Sequence, residues 1–145
     1  LIKDNHLAFV SEQNSAGDAS AADSREHVAS AAGKAVRKAR DFLVQAFPGD
    51  SRSSMIVEVE VDSLAQLEFA LAEKPDIVLL DNMTVEQLYQ AVALRNAMAP
   101  SIELVASGGV TLATARKIAE SGVDRISVGA LTHSAASLNV ALEWR

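Results

Sequence analysis

Apolar runs alternate with amphipathic stretches along most of the chain, and this alternation predicts repeated strand–helix units. Predicted strands begin near Ile56, Ile77, Ile102 and Arg125, with helix-bearing connections between them. The run 76–80 is apolar after its first residue, which is typical of a parallel strand buried on both faces. Strand–helix alternation implies right-handed crossovers and a parallel sheet. We therefore predict an α/β fold built from parallel β/α units.

Amphipathic spacing and cap residues predict where the helices lie. An apolar stripe predicts a helix from about His27 to Phe47. The basic residues of that helix are assigned to a solvated face: Lys34, Arg37, Lys38 and Arg40. Capping-box spacing at Ser63–Gln66 and at Thr84–Gln87 predicts two further helix starts. A last amphipathic helix is predicted from about Ala135 to Trp144.

Two features concern the extent of the domain. Residues 11–25 are Ser, Ala, Asp, Asn and Gly with almost no large apolar side chain, which predicts a flexible polar insertion. The chain opens at Leu1-Ile2 as if a strand were ending there, so we expect a fragment of a longer protein.

The composition narrows the function classes. The chain has 145 residues, 49% of them hydrophobic and 22% charged, which favours one globular domain with a real core. Its net charge of -6 disfavours nucleic acid or an anionic membrane as a partner. No cysteine is present, so disulfides, thiolate nucleophiles and cysteine-ligated metals are excluded, and a cytoplasmic setting is expected.

Two glycine turns follow predicted strands. Ser107, Gly108 and Gly109 come between the strand near Ile102 and a helical stretch, and the run from Ile126 reaches Val128, Gly129 and Ala130. Glycine lets the backbone approach a ligand closely, and a helix start favours an anion, so phosphate is the expected occupant. A plain tight turn is the alternative for either one. Together they resemble the paired phosphate loops of a (β/α) barrel.

Charged side chains are predicted at the carboxyl ends of other strands. Lys3 follows Leu1-Ile2, Asp81 follows the run 76–80, and Glu60 lies in an alternating strand on the same face as Glu58. These ends meet at one rim of a parallel sheet, where carboxylates suit ribose hydroxyls or a divalent cation and lysine suits an anion. Taken singly, Glu60 could be a half-exposed strand residue, Asp81 a turn residue and His133 a cap of the last helix. The combined set indicates a phosphorylated sugar as ligand.

Five motifs, in order, resemble the quinolinate phosphoribosyltransferase family, also called nicotinate-nucleotide pyrophosphorylase (carboxylating). They are Leu1-Ile2-Lys3-Asp4-Asn5-His6, Val57-Glu58-Val59-Glu60-Val61, Leu79-Leu80-Asp81-Asn82-Met83, Ala106-Ser107-Gly108-Gly109 and Val128-Gly129-Ala130-Leu131-Thr132-His133-Ser134. The resemblance covers nearly the whole chain outside the polar insertion.

The resemblance implies an activity and a set of roles. The family joins quinolinate to 5-phosphoribosyl-1-pyrophosphate with Mg²⁺, releasing pyrophosphate and CO₂ and giving nicotinate mononucleotide for NAD synthesis. Lys3, Glu60 and Asp81 would be catalytic, and no residue of this chain is expected to be a dedicated metal ligand. The substrate-binding set would be Lys3, Glu60, Asp81, Ser107, Gly108, Gly109, Val128, Gly129, Ala130 and His133.

The resemblance also implies an architecture. The chain would be the C-terminal portion, residues 1–145, of an open TIM-like barrel domain whose N-terminal companion domain is absent from this sequence. Members work as homodimers or larger homo-oligomers, and the partner's N-terminal domain completes the site. A fragment that lacks the arginine- and histidine-rich segments for the quinolinate carboxylates should not catalyse by itself.

Two departures from the family leave alternatives open. The polar insertion is longer than usual, and Val105 stands where the family often has glutamate, with Glu103 displaced. A related nicotinate-type phosphoribosyltransferase, or a non-catalytic phosphate-binding barrel module, would be the alternative functions. The converging charges of Lys3, Glu60 and Asp81 weigh against a pure scaffold.

Overall fold

The computed structural model describes residues 1–3, 5–7, 21–47 and 55–132. The predicted last helix at Ala135–Trp144, His133 and residues 11–20 of the polar insertion lie outside these ranges. The elements in chain order are α1 (Ala21–Ala46), β1 (Glu58–Val61), α2 (Leu64–Ala72), β2 (Ile77–Asp81), α3 (Val85–Met98), β3 (Glu103–Ser107), α4 (Leu112–Glu120), β4 (Arg125–Ile126) and a 3₁₀ turn (Gly129–Leu131).

The strands form one parallel sheet in the order β1-β2-β3-β4. Ile2 extends it beyond β1 through a parallel bridge to Val59, as expected of a strand that ends at Leu1-Ile2. The predicted α/β fold of parallel β/α units, forming part of an open TIM-like barrel, is thereby confirmed. Among the described residues, no helix is both long and apolar enough to cross a bilayer.

The two faces of the sheet differ in burial. The helix-side face is closed by fully buried side chains: Val59, Val61, Val78, Leu80 and Leu104. The opposite face carries Glu58 and Glu60, which are half-buried and share a side as their alternation predicted. Burial of β2 on both faces was wrong, because Ile77 and Leu79 remain half-exposed. The buried core of the described chain therefore lies on one side of the sheet, and the other side carries partly exposed residues of β1 and β2.

Several boundaries differ from the sequence-based predictions. α1 begins at Ala21 rather than near His27, so residues 21–25, expected in the polar loop, are helical. Alanine is the strongest helix former, and its abundance there outweighs the missing apolar stripe. β4 comprises only Arg125–Ile126, and the remainder of that apolar run turns at Gly129.

Side-chain caps set the helix starts. Thr84 and Gln87 form the predicted capping box at α3. Ser63 accepts from the Gln66 amide as expected, but the Gln66 side chain reaches the amide of Asp62 (3.1 Å) instead of that of Ser63. A second complete capping box, which the sequence analysis did not identify, joins Thr111 and Thr114 at α4.

α1 crosses α2 at close range. A Cβ at Gly33 would lie 2.7 Å from the backbone oxygen of Phe69, so the crossing requires a residue without a side chain. The solvated face assigned to α1 is only partly correct. Arg37 donates to the Glu73 carboxylate (Nε to Oε2, 3.0 Å), and this hydrogen bond lowers the pKa of Glu73. Arg40 pairs with Asp76 at 3.1 Å.

A buried arginine ties the amino-terminal ends of β3 and β4 to α3. Arg95, 7% exposed, donates from Nη1 to the Ile102 carbonyl at 2.6 Å and to Asp124 Oδ2 at 2.8 Å. Asp124 Oδ2 also accepts from the Leu104 amide at 2.8 Å. Partial burial acts to raise the pKa of Asp124, but these hydrogen bonds outweigh it and hold the pKa below its ordinary value.

Asp124→Asn should lower the free energy of unfolding by about 1–3 kcal/mol, because Arg95 stays buried with a weaker partner. A lowered folded pKa means that the contribution is full above the unfolded pKa of about 3.9 and is lost as the pH falls through the folded value. Urea unfolding at neutral pH and in an acid series should therefore show a shallower acid loss for the variant than for the parent.

The control for Asp124→Asn is Glu120→Gln, which breaks the exposed Arg116–Glu120 pair of α4. That variant should change stability by less than about 0.5 kcal/mol. The hydrogen bonds of Arg95 and Asp124 described above are called the Arg95 clamp. If Asp124→Asn were as stable as the parent at neutral pH, this clamp would not stabilise the fold.

Gly33→Ala should destabilise the fold by about 1–3 kcal/mol, because the new methyl group overlaps the α2 backbone. A loss of stability would itself indicate the close contact, since alanine at an unobstructed helical glycine stabilises the fold by about 0.5–1 kcal/mol. Urea unfolding of the two chains measures the difference. A gain in stability would show that α1 and α2 stand farther apart than described.

Candidate functional site

Lys3 and Glu60 meet where the chain leaves Ile2. The Ile2 amide donates to the Glu58 carbonyl and the Glu60 amide donates to the Ile2 carbonyl, both at 2.8 Å. This pairing aligns Lys3 beside Glu60, and Lys3 Nζ lies 3.5 Å from Glu60 Oε2. The Glu60 side chain is 15% exposed and that of Lys3 is 51% exposed. The lysine head can therefore reach solvent while the carboxylate stays largely within the sheet face.

A helical turn at residues 5–7 fixes the backbone around Lys3. The amides of His6 and Leu7 donate to the Lys3 carbonyl, at 2.9 and 3.1 Å. The Lys3 amide in turn donates to Nδ1 of His6 at 3.2 Å. Leu7 is buried in the core and anchors the turn. Lys3 is thus held by β1 on one side and by this turn on the other.

Asp81 ends β2, and Asn82 follows it with φ = +52°. Asn82 Nδ2 donates to Asp81 Oδ2 at 2.7 Å. The Asn82 amide donates to the Ser107 carbonyl at 3.0 Å, which joins the end of β2 to the end of β3. The half-buried Asp81 carboxylate therefore keeps one oxygen engaged at the carboxyl edge of the sheet.

The Ser107-Gly108-Gly109 turn adopts a conformation that requires glycine. Gly108 has φ = +86° and Gly109 has φ = +58°, in the left-handed region that disfavours side chains. A Cβ at Gly108 would lie 2.2 Å from Asn82 Oδ1, whereas a Cβ at Gly109 would meet no atom within 4 Å. Gly109 thus opens onto free space, as a turn that approaches a ligand must.

The start of α4 is less available to an anion than the sequence suggested. The amides of Thr111 and Thr114 already donate to the threonine hydroxyls of the capping box, at 2.9 and 3.3 Å. The first-turn amides of Leu112 and Ala113 precede the first intrahelical acceptor. A phosphate at this turn would therefore use those two amides and the glycine turn.

The second glycine turn lies beside the first. The Ser127 amide donates to the Ala106 carbonyl at 2.8 Å, which continues the pairing of β3 and β4 to the carboxyl edge. Val128 is half-buried, while Gly129 and Ala130 are exposed in the 3₁₀ turn. The geometry thus brings Val128-Gly129-Ala130 to the same edge as Ser107.

The register places the charged candidates on one face. Glu60 pairs with Leu79, and Asp81 pairs with Ser107. Register partners in a parallel sheet point the same way, and side chains two apart share a face. Glu60, Asp81 and Ser107 therefore share the face opposite the helices, and Lys3 joins them through its ion pair. His133 lies outside the described residues.

A surface cleft of about 370 Å³ lies at the other end of β3 and β4, away from these residues. Its lining includes Arg95, Glu103, Asp124 and Arg125. Arg95 is committed to Asp124, and Arg125 Nη2 donates to Glu103 at 2.9 Å. Because these charged side chains are paired with one another, we assign the cleft a structural role, as part of the Arg95 clamp.

The donor set suits a cation that arrives with a ligand. Among the described ranges, no group of three or more His, Cys, Asp or Glu side chains is arranged to hold a metal ion. Mg²⁺ is commonly bound by one or two carboxylates together with substrate phosphates. Glu60 and Asp81 fit that description, and Asp81 Oδ1 is the oxygen not engaged by Asn82 Nδ2.

Asn82 lies in one of the five family motifs, but the sequence indicated no role for it. The structure places its side chain between Asp81 and Gly108. The available signal was an asparagine directly after a buried strand, since asparagine tolerates the left-handed conformation better than most residues.

Comparisons with known proteins identify the family of the chain. The family described as "Quinolinate phosphoribosyl transferase, C-terminal domain" matches residues 1–143. The nicotinate-nucleotide pyrophosphorylase [carboxylating] of Mycobacterium leprae is 41% identical over 143 residues, covering 99% of this chain and 40% of that protein. The chain thus spans about two fifths of the length of this relative.

Solved structures show the same likeness. NadC from Streptococcus pyogenes has a TM-score of 0.64 and 35% identity, covering 95% of this chain and 38% of that one. The nicotinate-nucleotide pyrophosphorylase from Francisella tularensis has a TM-score of 0.61 and 35% identity, covering 90% of this chain and 36% of that one. With the family match over residues 1–143, these likenesses show that the chain belongs to the quinolinate phosphoribosyltransferase family and corresponds to its C-terminal domain.

Proposed function

We propose that this chain forms the phosphoribosyl-transfer site of a quinolinate phosphoribosyltransferase. The reaction joins quinolinate to 5-phosphoribosyl-1-pyrophosphate and yields nicotinate mononucleotide, pyrophosphate and CO₂. The observation that carries the proposal is the shared face on which Lys3, Glu60, Asp81 and Ser107 meet at the carboxyl edge of the sheet. Ligands bind at that edge in folds of this class.

In the proposed complex, the 5′-phosphate of the donor lies at Ser107-Gly108-Gly109 and Val128-Gly129-Ala130. The open space over Gly109 supports this placement, because a phosphate can approach the backbone there. The exposed Gly129 and Ala130 lie at the adjacent strand end. Backbone amides at such turns bind anions without a dedicated basic side chain.

The carboxylates then face the ribose. As the bond between C1′ and the pyrophosphate oxygen breaks, positive charge develops on the sugar ring, and Glu60 and Asp81 stabilise that charge. The ring nitrogen of the acceptor forms the new bond to C1′, the 2-carboxylate of quinolinate leaves as CO₂, and a proton from solvent takes its place at C2. Lys3 binds an anionic substrate group, exchanging its contact with Glu60 for that group.

Mg²⁺ bound together with the donor would supply positive charge against the leaving pyrophosphate. Glu60 and Asp81 are the residues of this chain that would hold it.

The acceptor assignment is supported by the relatives, which are named as carboxylating pyrophosphorylases.

The oligomeric state and the cellular location are also proposals. The protein acts as a homodimer or larger homo-oligomer, which light scattering would measure. It works in the cytoplasm, which fractionation would test.

Ser107→Asp should weaken binding of 5-phosphoribosyl-1-pyrophosphate with Mg²⁺ at least about tenfold, because a carboxylate at the turn repels the phosphate. Isothermal titration of the chain measures the affinity. Ser101→Asp is the matched control, since it adds the same charge at the exposed residue just before the other end of β3. Its affinity should stay within about twofold of the parent.

If Ser107→Asp bound the donor as tightly as the parent does, the phosphate would not lie at this turn. A folded parent that binds no donor would contradict the proposed site. Donor binding without product formation, in a protein supplied with the acceptor and all other domains, would favour a non-catalytic module.

Gly108→Ala should destabilise the fold by about 1–3 kcal/mol and also reduce donor affinity, because the methyl group strains a left-handed residue and displaces Asn82. Gly122→Ala is the matched control. Gly122 has φ = +90° but lies after α4, at the end of the sheet away from the site. It should lose similar stability in urea unfolding while keeping donor affinity. Equal affinity losses in the two variants would show that general destabilisation, not site geometry, governs binding.

A further inference from the structure

Asn82 occupies the junction between the two halves of the candidate site. Its Nδ2 donates to Asp81 Oδ2 at 2.7 Å, and its backbone amide donates to the Ser107 carbonyl at 3.0 Å. Its Oδ1 fills the space where a Cβ on Gly108 would lie, 2.2 Å away from that position. One side chain therefore contacts both the carboxylate of β2 and the glycine turn of β3.

The orientation of this carboxamide is determined by its surroundings. The reverse orientation would place a carbonyl oxygen against the Asp81 carboxylate, where both groups are acceptors. On the opposite side, the carboxamide oxygen of the exposed Asn82 side chain occupies space that a Cβ on residue 108 would fill, so the side chain lies against the glycine turn. Asn82 therefore presents its N–H to Asp81 in a fixed direction.

The backbone at Asn82 lies in the left-handed region, which asparagine adopts more readily than most residues. Among the described residues, only Lys74 and Asn82 are non-glycine residues with positive φ, both at +52°. Lys74 lies just beyond α2, where its amide donates to the Leu71 carbonyl, so a helix end accounts for its conformation. Asn82 ends no helix, so its left-handed conformation belongs to the turn that follows β2 at the candidate site.

We propose that Asn82 is a positioning residue that holds the Asp81 carboxylate in its reactive orientation and couples it to the Ser107-Gly108-Gly109 turn. The proposal rests on the function proposed above. A carboxylate at the end of a strand can rotate about its side-chain bonds, and one short hydrogen bond from a neighbouring amide restricts that rotation. The other oxygen, Oδ1, stays directed at the ligand.

Asn82→Gly tests this directly, because glycine keeps the backbone conformation and the amide bond to Ser107 while deleting the carboxamide. The variant should be at least as stable as the parent in urea unfolding. Its affinity for 5-phosphoribosyl-1-pyrophosphate with Mg²⁺ should fall about tenfold in isothermal titration. Lys74→Gly is the matched control, since it relieves the same φ far from the site and should leave the affinity unchanged.

A double-mutant cycle separates positioning from other roles. Asp81→Asn should weaken donor binding by itself, and adding Asn82→Gly to it should cause less than about a twofold further loss. A purely structural role, or direct contact between Asn82 and the donor, would instead give the same tenfold loss in both backgrounds. That additive result would overturn the proposal.

An experiment without ligand tests the positioning role of Asn82 separately from the proposed function. A crystal structure of Asn82→Gly should show the Asp81 carboxylate rotated or in several orientations relative to the parent. An unchanged carboxylate would overturn the positioning role even if the donor binds. A parent that does not bind the donor would refute the proposed function, while a reoriented Asp81 in the same set of experiments would still support the positioning contact.

Discussion

Parallel pairing of β1, β2 and β3 is the constraint on which the rest of this structure depends. Side chains of a strand alternate between faces, so a slip of one residue would move Asp81 and Ser107 to the helix side and bring apolar residues to the open face. The buried side chains of Val59, Val78 and Leu104 prevent that slip, because each would exchange a closed core for solvent. The apolar side of the sheet thus determines where the polar side can act.

The two ends of the sheet use polar groups differently. At the amino-terminal ends of β3 and β4, Arg95 and Asp124 neutralise each other and satisfy backbone groups, so their charges are committed to the fold. At the carboxyl edge, the Lys3–Glu60 pair at 3.5 Å is longer and half-exposed, and Gly109 faces open space. The longer, half-exposed Lys3–Glu60 pair can exchange partners with a ligand. The Arg95–Asp124 pair cannot do so without unfolding its surroundings.

Close approach of backbone segments recurs at the places where this chain has glycine. Gly33 lets α1 lie against α2, and Gly108 lets Asn82 lie against the turn after β3. The first contact serves packing alone. The second brings a polar side chain, a left-handed backbone residue and a carboxylate together at the edge where the substrate is proposed to bind.

The sequence by itself determined the element types, their order, the parallel topology and the rim to which Lys3, Asp81 and Ser107 belong, because periodicity and strand ends are local properties. It misjudged the start of α1, the length of β4 and the burial of Ile77 and Leu79. The length of β4 and the burial of Ile77 and Leu79 depend on what packs against each segment, whereas the start of α1 follows local helix propensity. The Arg95 clamp and the role inferred for Asn82 required the tertiary structure, since each joins groups whose distance and direction only the folded chain establishes. Asp124 lies 29 residues from Arg95, and no local pattern relates them.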